Sequence, residues 1–133
     1  MTKNQVLDYI QNKYNILPNY PWHDDNAVFR HPDNRKWFGL LMEIGRDKFV
    51  VGANGKIDVL NIKGDPTLIS FLRTQKGFYP AYHMNKEKWL SICLDGSAPD
   101  EEIKSLIDSS FEMTKINEKQ SKNKVKKGNS YKS

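Results

Sequence analysis

Three stretches of the chain carry apolar residues at spacings of three and four, which is the period of a helix with one buried face. The first stretch covers residues 2–14, where Thr2 and Gln5 have the spacing of a capping box that satisfies free amide groups at a helix start. The second and third helices are expected at residues 65–76 and at about residues 97–114. The pattern therefore predicts a helix at each end of the folded part and one between them.

Between the helices the pattern changes to short β-prone runs separated by turn residues. The runs are residues 27–30, 37–44, 49–51 and 57–62. The HPDNR motif at residues 31–35 suits the first turn, and Asn54 with Gly55 is a strong turn signal before the last run. Residues 15–26 are rich in Pro, Asn and Asp, so an irregular connection is expected there, with Tyr20 and Trp22 as packing anchors. Together the runs predict an antiparallel meander.

Residues 78–94 predict a further hairpin, with two strands around a polar tip. Its first strand is expected to extend to Met84. In its second strand Leu90, Ile92 and Leu94 share one side, because side chains two residues apart point to the same face, and this side is expected to meet the core. The order helix, meander, helix, hairpin, helix predicts an α+β fold with an antiparallel sheet and a middle helix.

Length and composition favour one domain. The chain has 133 residues, 38% of them hydrophobic, which is enough for one core and too few for two ordinary domains. Its single cysteine, Cys93, excludes a disulfide framework or a thiolate metal cluster. No apolar run approaches the roughly 18 residues of a membrane span, and the first residues lack the order of a signal peptide. We therefore expect a cytoplasmic protein with no membrane contact.

The basic charge is concentrated at the C-terminus. Residues 116–133 hold six lysines and one glutamate, so they account for the whole formal charge of +5, and residues 1–115 are formally neutral. This segment has almost no apolar content, so we predict a disordered lysine-rich tail after a single domain at residues 1–115. A weak contact with nucleic acid or an anionic surface is one interpretation of the tail, and a solvated tail is the favoured one.

The hairpin tip and its outer face form the candidate binding surface. An aromatic ring can stack on a base or another flat ligand while neighbouring cations meet phosphate. The candidate residues on the hairpin are Tyr82, His83, Asn85, Lys86, Lys88 and Trp89. The first hairpin adds Arg30, Arg35 and Lys36 as candidate phosphate contacts. The favoured alternative is a structural hairpin in which the aromatic residues pack and the polar residues solvate the turn.

Catalysis, metal binding and cofactor binding are not predicted. The chain has no GxGxxG, GxxxxGK, GxSxG or HExxH motif. His83 has no second ligand residue at a metal-binding spacing, and His23 and His31 lie far along the chain. The apolar neighbours of Cys93 predict a buried thiol with a raised pKa. An enzyme that uses His83 as an acid or base is the least favoured hypothesis.

The stretch PAYHMNKEKWLSICLDG at residues 80–96, and the proline-started helix after it, resemble the C-terminal signature of MmcQ/YjbR-like proteins. The upstream VFRHPDNRKWFGLLMEI resembles the N-terminal half of that family. This chain departs from the pattern with Ala81 in place of a usual glycine and with Glu87-Lys88 where a basic residue and histidine are common. The resemblance covers essentially the whole predicted domain.

The resemblance implies a frataxin-like fold, with the two terminal helices packed on one face of the antiparallel sheet. It also implies a "double-wing" DNA-binding type of protein, an association that rests largely on the fold. We accordingly expect a small monomeric binding protein of the MmcQ/YjbR type with DNA or another nucleic acid as its partner. The alternative is a non-catalytic module that binds a protein or a small ligand through the surface at residues 82–89.

Overall fold

The computed structural model describes residues 1–127, with side chains described for residues 1–115. The elements in chain order are α1 (Lys3–Tyr14), β1 (Ala27–Arg30), β2 (Trp37–Gly45), a short 3-10 helix (Arg46–Lys48), β3 (Lys56–Lys63), α2 (Pro66–Leu72), β4 (Phe78–Pro80), β5 (Trp89–Cys93) and α3 (Asp100–Lys127). The capping box at the start of α1 is present, with Thr2 accepting a hydrogen bond from the Gln5 amide and Gln5 bonding back to the Thr2 amide.

The five strands form one antiparallel sheet in the order β1-β2-β3-β5-β4. From β3 the chain passes through α2 to the outer edge, where it forms β4, and returns as β5 beside β3. The predicted α+β fold is confirmed. The predicted run at residues 49–51 is not a strand, because these residues continue the turn that follows the 3-10 helix.

All three helices contribute to the same core, so the main core lies on one face of the sheet. Buried residues of α1 and α3 pack with those of the strands, and Ile69 and Leu72 of α2 join them. The helical members from α1 and α3 are Val6, Ile10, Ile103, Leu106 and Ile107. This packing matches the frataxin-like arrangement that the resemblance implies and leaves the other face of the sheet without a helix.

The helix-free face is partly buried by loops instead. Val59, Ile57 and Cys93 form a second, smaller cluster there, and Phe49, Tyr79 and Tyr82 pack against it. Because both faces of β5 are covered, Ser91 and Cys93 are buried along with Leu90 and Ile92. The core side predicted for Leu90 and Ile92 is correct, but alternation did not predict that the other side of β5 is buried too.

The last helix is longer than the sequence pattern predicts. The apolar face of α3 ends near Thr114, yet the helix continues to Lys127. Lysine, glutamate and glutamine are good helix formers, so residues with little apolar content can still continue a helix that has already started. The predicted tail is therefore helical up to Lys127 in this structure, and its end at residues 128–133 lies outside the described residues. No helix within residues 1–127 is long and apolar enough to span a membrane.

Candidate functional site

The segment at residues 81–88 is a loop folded over the helix-free face. The first strand of the hairpin was expected to reach Met84, and this is wrong, because β4 ends at Pro80. Proline has no amide to donate to a ladder, and His83 has a φ of +60°, a left-handed angle that interrupts a strand. At the tip, Asn85 accepts a hydrogen bond from the Glu87 amide at 2.9 Å and closes a tight turn.

A buried polar network holds this loop on the sheet. Asn61 and Ser91 are paired across β3 and β5 and are fully buried. The Ser91 hydroxyl donates to Asn61 Oδ1 and accepts from the Tyr82 amide at 3.0 Å, while Asn61 Nδ2 donates to the Tyr82 carbonyl at 3.1 Å. Lys86 Nζ donates to the Ala81 carbonyl at 3.0 Å. The two bonds to Tyr82 hold the loop on the sheet, the bond between Ser91 and Asn61 orients these two partners, and the Lys86 bond closes the loop on itself.

An apolar groove lies beside the loop, on the same face of the sheet. Its volume is about 400 Å³. The groove is lined by Trp22, Asn26, Trp37, Leu40, Met42, His83 and Met84. The indoles of Trp22 and Trp37 meet edge to face, with ring centres 6.1 Å apart and an angle of 85° between the planes. We call this feature the tryptophan groove.

Four cations lie at the end of the sheet that carries Trp37 and Trp89, and they are Arg30, Lys36, Lys63 and Lys88. The Arg30 guanidinium is 5.8 Å from the centre of the Trp37 ring, a cation–π distance, and its Nε is buried without a hydrogen-bond partner. Burial lowers the pKa of Lys63, and the nearby positive charges of Lys88 and Lys36 lower this pKa further. Among the side chains described, none of these four cations forms an ion pair.

The structure brings some of the predicted site residues together and separates others. His83 lines the tryptophan groove, and Arg30, Lys36 and Lys88 belong to the group of four cations. Trp89 is half-buried and pairs with Lys63 at the start of β5. These five predicted residues therefore lie at one end of the helix-free face.

The remaining predicted residues lie elsewhere. Tyr82 and Lys86 line a pocket of about 310 Å³ with Phe49 and Tyr79, although the Tyr82 ring still contacts the His83 ring, with centres 4.0 Å apart. Asn85 bonds within its own turn. Arg35 lines a separate polar pocket of about 320 Å³ that also contains Arg30. Five of the nine candidate residues thus line three different depressions: His83 the tryptophan groove, Tyr82 and Lys86 the second pocket, and Arg30 and Arg35 the third.

Sequence reasoning missed the residues that shape the groove. Trp22 was expected only as a packing anchor, and Trp37, Leu40 and Met42 only as strand residues, because nothing in the local pattern shows which strand face lacks a helix. Asn61 and Ser91 were missed as supports of the loop. Their signal was a polar residue inside an otherwise apolar strand, as in VLNIK and LSIC.

Two other titratable groups lie outside the groove. Burial raises the pKa of the Cys93 thiol to about 11, so little reactive thiolate exists at neutral pH. Burial also lowers the pKa of His31, whose Nε2 lies 2.8 Å from the Thr114 hydroxyl, so this imidazole is packed as a neutral group. No group of His, Cys, Asp and Glu within the described residues has the arrangement of a metal site.

The geometry defines a class of small α+β domains in which helices cover one face of an antiparallel sheet and loops form a groove on the other. A model of the YjbR family matches residues 11–113, and the chain belongs to this family. A crystal structure of a Pseudomonas syringae protein is 46% identical and superposes with a TM-score of 0.83, over 86% of this chain and 99% of that one.

Two curated relatives add to this picture. The Bacillus subtilis protein YyaQ is 38% identical over 117 residues, which cover 86% of this chain and 99% of that protein. Escherichia coli YjbR is 39% identical over 54 residues, which cover 40% of this chain and 46% of that protein. The Bacillus subtilis relative supports the family assignment, and the names of both proteins state no ligand or reaction.

Proposed function

We propose that this protein is a cytoplasmic nucleic-acid-binding protein that contacts its ligand through the tryptophan groove and the four cations beside it. The observation that carries this proposal is the combination of aromatic walls with Arg30, Lys36, Lys63 and Lys88, none of which forms an ion pair among the described side chains. Aromatic rings stack with bases, and lysine and arginine neutralise phosphates.

The distribution of charge supports this location. Residues 1–115 are formally neutral, so a general positive field cannot direct an anion to the folded part. A local group of cations can still do so, because charges act mainly within a Debye length of about 8–10 Å at physiological salt. Lys36 and Lys88 lie close enough to Lys63 to lower its pKa, so they belong to such a group. We therefore expect modest affinity that depends strongly on salt.

The test is the salt dependence of binding by the full-length protein. Lys63→Gln with Lys88→Gln removes two cations from the groove end. The control is Lys56→Gln with Lys76→Gln, which also removes two positive charges. Lys56 begins β3 and Lys76 precedes β4, so both lie at the other end of the sheet from Lys63. For a single-stranded ligand, log K decreases as log salt increases. This decrease should become less steep, by about 0.7 in slope for each phosphate that the Lys63→Gln, Lys88→Gln variant no longer neutralises. Equal slopes for the two double variants would mean that Lys63 and Lys88 do not contact the ligand, and would contradict the proposal.

A second candidate function is the binding of a small aromatic ligand. The groove volume of about 400 Å³ falls within the range of small-molecule sites, roughly 300–1,000 Å³. Isothermal titration with mononucleotides separates the two functions. Nucleic-acid binding predicts that affinity increases with strand length, whereas a small-ligand site predicts the same affinity for a mononucleotide and for a longer strand.

A further inference from the structure

The tryptophan groove is a depression, and its shape restricts the form of nucleic acid that can enter it. Leu40 is only 3% exposed and lies at the bottom, while Trp22, Trp37 and His83 form the sides. The buried residues of all three helices belong to the core on the opposite face, so the helices do not project from this side. A concave site of this kind can be filled only by a part of the ligand that projects into it.

A base pair in a duplex cannot make that insertion. The edges of paired bases lie inside grooves, the wider of which is about 12 Å across and is read by a projecting helix or β-ribbon. The loop at residues 81–88 is held against the sheet by Asn61 and Ser91 and does not form such a ribbon. Only a base that has left the stack presents its flat face to the protein.

The arrangement of the two indoles suits one such base. Trp22 and Trp37 meet at 85°, so they form a corner in which a flat ring can stack on one indole with its edge toward the other. Arg30 lies beside Trp37 and forms no ion pair among the described side chains, so its charge can attract the phosphate of the same nucleotide. The lysines at positions 36, 63 and 88 are then available for neighbouring phosphates.

We infer that the groove binds one unpaired base of a single-stranded nucleic acid, and that the protein discriminates against the duplex. This inference rests on the proposed function and makes it more specific. Because a duplex must first unpair and unstack a base, we expect it to bind on the order of 100-fold more weakly than the single strand.

The experiment follows tryptophan fluorescence and indole N–H shifts of the full-length protein with three ligands of equal length. These are a single strand, its duplex, and a strand of abasic nucleotides that keeps every phosphate and has no bases. The single strand should quench fluorescence and shift the indole signals of Trp22 and Trp37. The abasic strand should bind at least about tenfold more weakly, because stacking on an aromatic side chain contributes on that scale.

Two variants locate the base. Trp22→Ala is expected to weaken single-strand binding by about tenfold and to leave the abasic strand unaffected. Trp22 is 48% exposed and lies in a connection, so its replacement should not prevent folding. Phe71→Ala is the matched control, since it removes an aromatic ring that is 61% exposed on α2, and no change is expected.

The outcomes separate the inference from the proposed function. Equal affinity for the normal and abasic strands, or for the strand and the duplex, would overturn the inference while nucleic-acid binding remained. Equal losses of affinity in Trp22→Ala and Phe71→Ala would do the same. No binding of any ligand at low salt would overturn both.

Discussion

At the scale of single residues, the groove depends on two buried polar side chains that face away from the main core. Asn61 and Ser91 are paired on the helix-free side of the sheet and have no solvent contact. Polar groups in that position are costly unless each finds a partner, and here the backbone of Tyr82 supplies it. Their role is to position the loop that carries His83 and Met84 into the wall of the groove.

Ser91→Ala is expected to destabilise the fold and release the loop. The substitution leaves the Tyr82 backbone amide and the side-chain oxygen Oδ1 of Asn61 without a partner. Each buried group left unpaired costs about 1–3 kcal/mol. Urea unfolding should show the lower stability, and amide hydrogen exchange at Tyr82 should increase by more than exchange in α1. Ser70→Ala, at an exposed position on α2, is the control and should change neither. Unchanged protection at Tyr82 would show that the network does not hold the loop.

At the scale of elements, one carboxylate joins the two terminal helices. Asp108 of α3 accepts hydrogen bonds from Tyr9 and Tyr14 of α1 at 2.9 and 2.6 Å, and from Lys13 Nζ at 2.8 Å. Burial alone would raise the pKa of Asp108, but the bonds from Lys13, Tyr14 and Tyr9 stabilise its ionised form and leave the pKa below its usual value. The carboxylate thus links helices that are nearly a hundred residues apart in sequence.

Asp108→Asn should lower the free energy of unfolding by about 1–3 kcal/mol at pH 7, since hydrogen bonds to a charged group are the stronger ones. The lowered pKa in the folded state gives the direction of the pH effect. The stabilisation is fully present above the ordinary carboxyl pKa of 3.8, and it is lost as the pH falls through the lower folded-state pKa.

Urea unfolding at pH 7 and pH 3 checks this prediction. The difference between the wild type and Asp108→Asn should be smaller at pH 3, and Asp8→Asn, an exposed change on α1, should show little difference at either pH. A difference that stays constant with pH would mean that the charge of Asp108 does not contribute.

At the scale of elements, the sequence predicts the helices and the main strands but not the end of β4 or the groove. The helices and the main strands follow from periodicity, and the HMNK motif at residues 83–86 locates the family hairpin. The end of β4 at Pro80 was missed, because an alternating pattern continues past the proline while the ladder does not. The groove was missed for a different reason, since Trp22 and Trp37 meet only after the connection at residues 15–26 folds against β1.

At the scale of the whole molecule, both edges of the sheet are protected against pairing with another chain. On the β1 edge, Asn19 and Val28 exchange two backbone hydrogen bonds of 2.8 Å, so the connection after α1 occupies part of the free ladder. On the β4 edge the strand has three residues and ends with Pro80. Short edge strands, prolines and covering loops are the means by which proteins prevent edge-to-edge association.

We therefore expect the protein to remain a monomer, which would leave the tryptophan groove free for its ligand. Sedimentation equilibrium over a wide concentration range should give a single species of 15.5 kDa. Asn19→Pro removes the amide that bonds to the Val28 carbonyl and uncovers part of the β1 edge, so this variant should self-associate more readily than the wild type. A Leu17→Ser variant, which changes an exposed residue of the same connection, controls for general loosening. A dimeric wild type would contradict this prediction, and the β4 edge, whose strand has only three residues, would be the first place to look for the interface.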